Sequence, residues 1–307
     1  MAPWVIRITV LTAFVVVLWF FGPTAYQAMS ARVGTSSTWV DLDRVALRDA
    51  PAWLRGNPPL IRSVLSELSP VLRGELRQDD EAGLARVAQD LQALSWVSAA
   101  RLRPAHPDRF QLALELRRPV LEVVPVGVAA GRVDAVFVAA DGVCVWREPG
   151  SDASGLPECR LFDGVVPGSL PVYQLGQEHP DPRVLAAAST AVEWRDQIDT
   201  RLAEAPRLVE VDASNLNYRL VADPNYSEVC VILRRADGGA VSLAYGHPPQ
   251  SPFPRVTSED KAGVLAKILK RYPGLNGLDK GDLRFVNLWE NWLRPRLPSR
   301  PQSTAPK

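Results

Sequence analysis

Cysteine is scarce in this chain and its count is odd: Cys144, Cys159 and Cys230 are the only three among 307 residues. So few thiols exclude a disulfide framework as the source of stability. Two readings stay open, one bond between Cys144 and Cys159 in an oxidising compartment, or ordinary buried or free thiols. An excess of either charge is also missing, because 35 basic residues meet 34 acidic ones and leave a net charge of +1. A near-neutral chain has no global electrostatic footprint for nucleic acid. Histidine supplies only His106, His179 and His247, each followed directly by proline. That context reads as exposed turns, and no HExxH or paired-cysteine spacing offers ligands to zinc. There is no GxSxG elbow, no Walker loop and no GxGxxG loop. Asp79-Asp80-Glu81 gathers three carboxylates, but at a helix start they read as a cap and a complement to the helix dipole. These absences set the expectation of a protein that is not an enzyme, with no cofactor, no metal, no small-molecule substrate and no nucleic-acid partner.

What is present begins with an almost unbroken apolar run from Ile8 to Phe21, with Trp4 before it and Trp19 and Tyr26 towards its far side. The stretch from Pro3 to Met29 has room for a span of roughly 20 residues, which a bilayer core requires, and the aromatic residues suit its interfaces. The reading is a transmembrane helix over 8–29, with residues 1–7, including Arg7, as a cytoplasmic arm and the bulk of the chain exported. A cleavable signal peptide competes with it, since Ala28, Ser30 and Ala31 are small residues near a processing position. The polar segment 30–38 reads as a linker.

Beyond the linker, LSWVSAARLRPAHPDRFQLALELRRPV (Leu94 to Val120) reads as a helix end and a β-hairpin. Phe110, Leu112, Leu114 and Leu116 alternate with Gln111, Ala113, Glu115 and Arg117, the period of two that marks a half-buried strand. Pro107-Asp108 supplies turn chemistry, and Pro119 is expected to stay out of a central ladder. Trp96 reads as core. Arg101, Arg103, Arg117 and Arg118 read as a solvated strand face, with contact to anionic lipid or an acidic partner as the alternative. Helical spacing appears twice upstream: at Leu60, Ile61, Val64, Leu65 and Leu68 in Pro58–Leu72, with Asn57 as cap, and at Leu84, Val87, Ala88, Leu91 and Leu94 in Asp80–Leu94. Trp39–Leu47 is the expected first strand. Two helices on one face of a small sheet make an α+β module over 39–124.

A second, mainly antiparallel β domain with flanking helices is expected over 125–294. Its signals are strands around Asp141-Gly142, a loop over Glu148–Glu158, and a helix over Asp181–Ile198 with Val184, Leu185, Ala188, Val192 and Arg195 on one side. They continue with short strands over Arg207–Asp212, Leu216–Ala222, Glu228–Arg235 and Ala240–Tyr245, the last two joined by Asp237-Gly238-Gly239. Ser258 is expected to cap a helix to Tyr272, followed by a final strand over Asp282–Leu288. Trp289 and Trp292, read as exposed, suit a binding surface. Residues 295–307 read as a disordered tail.

The Trp-Val entry, the turn at Pro107-Asp108, the closing LELRRPV, the pair VFVAADGVCVW and the late GDLRF at Gly281 to Phe285 resemble, in that order, the FtsQ/DivIB family of bacterial cell-division proteins. The likeness runs from about Pro58 to Leu293. It departs at WVDLDRVAL, which lacks the strand-then-glycine pattern usual before the first helix. The resemblance implies a POTRA module followed by an FtsQ-type β domain, in a single-pass inner-membrane protein at the septum. It further implies a scaffold without an active site whose last strand accepts FtsB/FtsL-like partners by strand addition. Carried onto this sequence, the partner-binding residues are Asp282, Leu283, Arg284, Phe285 and Val286, with Trp289 beside them. Two other classes stay in view, a POTRA-containing envelope factor in secretion or outer-membrane assembly, and an exported enzyme.

Overall fold

The computed structural model describes residues 39–41, 51–55, 58–77, 79–105, 109–125, 136–147, 155–161, 173–223 and 225–296. The arm, the expected transmembrane helix, the linker and the Pro107-Asp108 turn lie outside the described residues. Among the described residues no helix is long and apolar enough to cross a membrane. The fold is mixed α+β, with a sheet-rich C-terminal region. Two compact units divide it: the chain up to Leu91 together with Ala100–Leu114, and Gln92–Ala99 together with everything from Glu115 onward.

In the first unit β1 (Trp39–Asp41) pairs antiparallel with β2 (Glu75–Arg77). Helix α1 (Ala52–Arg55) is followed by α2 (Pro58–Val71) and α3 (Glu81–Gln92), which lie where helices were expected; Leu54, Val64, Leu68, Leu84 and Leu91 are buried, whereas Leu65 of the expected stripe is exposed. Asp80 caps α3, its Oδ1 accepting from Gly83 N at 2.9 Å, so the acidic run is a helix start. The hairpin of β3 (Val97–Ala105) and β4 (Arg109–Leu116) has the expected faces, with Phe110 and Leu112 buried and Gln111, Ala113 and Glu115 exposed. Trp96 is fully buried. Arg117 corrects the picture of a solvated basic face. Its guanidinium donates to the carbonyls of Val97 at 2.5 Å and Ser95 at 3.1 Å and pairs with Asp141 at 3.1 Å.

The second unit is built on one nine-stranded sheet, in the order β13-β12-β11-β10-β9-β8-β5-β6-β7. Its strands are β5 (Pro119–Pro125), β6 (Val136–Ala139), β7 (Cys144–Arg147), β8 (Glu158–Leu161), β9 (Leu208–Asp212), β10 (Val229–Arg234), β11 (Ala240–Gly246), β12 (Leu278–Asp282) and β13 (Arg294–Pro295). The sheet is mixed: β5 with β8, β8 with β9 and β11 with β12 run parallel. Pro119 does enter the sheet, opposite Ala139, as the first residue of its strand, a position that proline tolerates.

Helices α4 (Pro182–Glu193) and α5 (Ser258–Arg271) complete the core with the sheet. The buried face of α4 is Val184, Ala187, Ala188 and Ala191, whereas Leu185 and Arg195 of the expected stripe are only half-buried. Alanines let the helix approach closely, so its small residues rather than its large ones mark the inner face. A π-turn, Trp194–Ile198, extends α4 and buries Trp194 and Ile198. The cap of α5 is Thr257, whose Oγ1 accepts from Asp260 N at 3.1 Å, and not Ser258. The Ser258 hydroxyl turns inward to the Glu193 carboxylate.

That carboxylate is the hub of a buried charge cluster. Glu193, 3% exposed, also takes Arg255 Nη1 at 2.7 and 2.8 Å on its two oxygens. Lys261 is fully buried, with its ammonium 3.3 Å from the centroid of the equally buried Tyr245 ring. Burial alone would raise the Glu193 pKa, but the Ser258 hydroxyl, the Arg255 guanidinium and the Lys261 charge outweigh it and hold the carboxyl below its ordinary value. Burial pulls Lys261 down to about 8, against the Glu193 charge. Burial first, then the Glu193 charge, raises the Tyr245 phenol.

Candidate partner-binding edge

The two edges of the large sheet are finished differently. At β7 the chain closes its own edge: Cys144 N donates to Gln177 O at 2.9 Å, Gly176 N to Cys144 O at 2.8 Å and His179 N to Gly142 O at 2.9 Å, with Val143 bridged to Glu178. At the opposite side β12 pairs, among the described residues, only with the two-residue β13, through Leu278 opposite Pro295 and Lys280 opposite Arg294. The expected tail therefore begins as ordered chain, and Arg296 N donates to Gly277 O at 2.8 Å. From Gly281 onward the outer edge of β12 has no strand beside it among the described residues. A short outermost strand with an arginine and a proline is how an edge avoids indiscriminate pairing.

The expected final strand over Asp282–Leu288 does not form. The strand lies earlier, over Leu278–Asp282, and ends where it was expected to begin. The reason is local: Asp282 accepts from Arg284 N at 2.9 Å, an Asx-type turn that redirects the backbone. The same carboxylate receives Arg284 Nε at 3.0 Å and Nη2 at 2.7 Å. Arg284 also donates to Asn225 O at 2.6 Å, tying the end of β12 to the 213–228 connection. Burial would lower the Arg284 pKa, but the Asp282 hydrogen bond and charge raise it. The stem of Arg284 lies against Gly246, where an added Cβ would come within 3.2 Å of its Cγ and where φ is +100°, so a side chain at 246 would be both crowded and strained.

The six residues carried over by resemblance thus separate. Asp282 and Leu283 are buried, and Leu283 N extends the β11 pairing by donating to Ala244 O at 2.9 Å. Val286 and Trp289 are partly buried against the core, which corrects the reading of Trp289 as exposed. Phe285 stacks on Trp292 with centroids 4.5 Å apart and planes 5° apart, and the Arg284 guanidinium lies 5.4 Å from the Phe285 centroid. Trp292, half-buried rather than exposed as expected, therefore joins the candidate site. Leu288 and, in the 213–228 connection, Leu220 and Tyr226 are 58–59% exposed, apolar surface of the kind that marks interaction sites.

Gly281 fixes how closely the edge strand packs. A Cβ there would meet Leu243 Cδ2 at 2.9 Å and Leu293 Cδ2 at 3.3 Å. Gly281→Val is expected to lower stability by about 1–3 kcal/mol through overpacking, as read from urea unfolding of the full chain, with the loss concentrated in protection of the β12 amides.

Outside this edge, His179 and His247 are not exposed turns, and His106 lies outside the described residues. His179 is buried and its Nδ1 accepts from Asp181 N at 3.1 Å. His247 is half-buried and lies 3.0 Å from Glu228 Oε2. The three cysteines are free thiols, and burial raises the pKa of Cys144 to about 11. Among the described residues no group of histidine, cysteine and carboxylate side chains could hold a metal ion. The chain matches no protein-family model and no curated protein.

Proposed function

We propose that this protein is a non-enzymatic, single-pass membrane scaffold of the FtsQ/DivIB type, which recruits division proteins at the septum of a bacterium. Its FtsB/FtsL-like partner adds a β-strand along the open stretch of β12 and packs against the Phe285–Trp292 stack. The observation that carries this reading is the asymmetry of the sheet, with one edge closed by the chain itself at Gly142–Cys144 and the other without a paired strand after Lys280 among the described residues. Unpaired backbone groups supply affinity to an added strand, and the flanking side chains supply selectivity. The order of sequence motifs that resembles the family supports the same reading.

The enzyme alternative draws on Glu193, Lys261 and Tyr245, whose pKa values are shifted. These side chains are 0–3% exposed, so the described conformation gives a substrate no access to them. Imaging a fluorescently tagged full chain in dividing cells tests the proposal. Enrichment at the septum is expected; an even signal around the envelope contradicts it and favours the secretion reading.

A further inference from the structure

Two clefts lie side by side on the second unit and share Ala205 and Arg207 as a common wall. They sit at the end of the strands away from Asp282, because Arg207 precedes β9 and Arg234 ends the antiparallel β10. One cleft, about 590 Å³, runs between Leu202–Arg207, the end of β10 and the second half of α5. The other, about 420 Å³, runs between the start of β5, Gly155–Pro157 and the end of α4 with its π-turn. Leu202 and Leu269 give the first an apolar floor, and Val120 and Leu156 do so in the second.

The walls are basic. Six arginine or lysine side chains line the two clefts, against only Asp199 and Glu204. Two of the six are neutralised, Arg195 by Asp196 at 2.6 Å and Arg235 by Asp237 at 3.0 Å. Arg118, Arg207, Arg234 and Lys270 are exposed and make no ion pair with a described residue. Burial and then the Arg195 guanidinium lower the Arg118 pKa, and the Asp196 charge only partly offsets them. Cations that outnumber the acids across two apolar clefts are half of a complementary interface.

We propose that the joined clefts dock an acidic, extended segment of a partner protein, whose carboxylates pair with Arg118, Arg207, Arg234 and Lys270 and whose apolar side chains enter the two clefts. The occupant follows from charge and shape. Asp199 and Glu204 stand among the cations and would repel a dense polyphosphate, but they are tolerated by a chain that carries only a few carboxylates. Trp194, the aromatic residue of the walls, is 3% exposed and presents no face for stacking a base. Concave apolar floors suit side chains better than the flat surface of a bilayer. The surface is separate from the β12 edge and stands whether or not a strand is added there.

The test titrates a fluorescein-labelled peptide of about a dozen residues, long enough for extended-segment recognition, with glutamates interspersed among leucine and serine, against the full chain in detergent micelles. Saturable binding is expected. Arg118→Glu with Arg207→Glu is expected to weaken it at least about tenfold, as is Arg234→Glu with Lys270→Glu, because each pair reverses charge at the contact. The glutamine version of the peptide should not bind, and Phe285→Asp should bind as well as the parent. The two double variants sit on different walls, so a folding failure in one leaves the other decisive. Absence of saturable binding, equal binding of the glutamine peptide, or indifference to both charge reversals would overturn the proposal. Charge-dependent binding of phosphatidylglycerol vesicles without binding of the peptide would assign the surface to the membrane and overturn it as well.

Discussion

Glu193→Ala is expected to cost about 3–5 kcal/mol of unfolding free energy, because removing one member of a buried ion cluster strands the others. Among the described residues, Glu193 is the carboxylate that faces both Arg255 and Lys261. Arg255 can turn towards water, being partly exposed, but Lys261 is fully buried and would keep only the Tyr245 ring. Urea unfolding of the full chain measures the loss. Replacing Glu193 and Lys261 together by leucine and methionine should recover most of it, since a packed apolar pair leaves no stranded charge. If the single variant unfolds like the parent, the cluster is not what holds α4, α5 and β11 together.

The same lysine gives stability a characteristic dependence on pH. Its folded pKa, about 8, lies below its ordinary value of 10.5. Between those values the unfolded chain binds a proton that the folded chain has released, so stability rises with pH. Tyr245 opposes this at the upper end: its folded pKa is raised from 10, so above about pH 10 the unfolded chain loses that proton first and stability falls. A rise of about 1–2 kcal/mol is therefore expected from pH 8 to 10, and Lys261→Met should flatten it.

Leu283→Ala and Phe285→Asp, two residues apart, are expected to do opposite things. Leu283 is fully buried, so its truncation should cost about 2–5 kcal/mol as a cavity in the core. Phe285 is half-buried and stacks on the equally half-buried Trp292. A carboxylate there should cost only about 0.5–1.5 kcal/mol, the worth of the lost stack, while abolishing co-purification of the division partner. The resemblance assigned both residues to partner contact, and only their burial separates them. Retained co-purification with a folded Phe285→Asp protein would remove this residue from the interface.

The elements that were legible in the sequence are those whose own periodicity matched their burial. Helices α2, α3 and α5, the β3–β4 hairpin and the turns at Asp141-Gly142 and Asp237–Gly239 carry their signals within a few residues. Strands β8 and β12 do not. ECRL and LDKGD are rich in charge, and they are strands because a neighbour pairs with them in parallel, through Glu158–Leu161 beside β5 and Lys280–Asp282 beside β11. Such pairing lies far away in sequence and leaves no local alternation to read. The reverse error occurs at Leu216–Ala222, which alternates like a strand but folds as a 3₁₀ turn. Asn215 Oδ1 there accepts from Leu220 N at 3.0 Å and Val221 N at 2.9 Å, while Asn217 and Tyr218 both take φ of +56°. At the candidate site the motif GDLRF pointed to the right place and the wrong geometry. A single aspartate, through its turn with Arg284, changes a strand into the end of one.

Strand addition at β12 is tested most directly by amide hydrogen exchange of the full chain, alone and with its co-purified partner. Leu283 N already donates to Ala244 O and Arg284 N to the Asp282 carboxylate, so strand addition predicts that the Asp282 amide slows on binding by about 10–100-fold, the gain expected when an exposed backbone group enters a ladder, while the amides over Gly176–His179 at the closed edge stay as they were. Unchanged exchange at Asp282 in a partner-bound protein would contradict it.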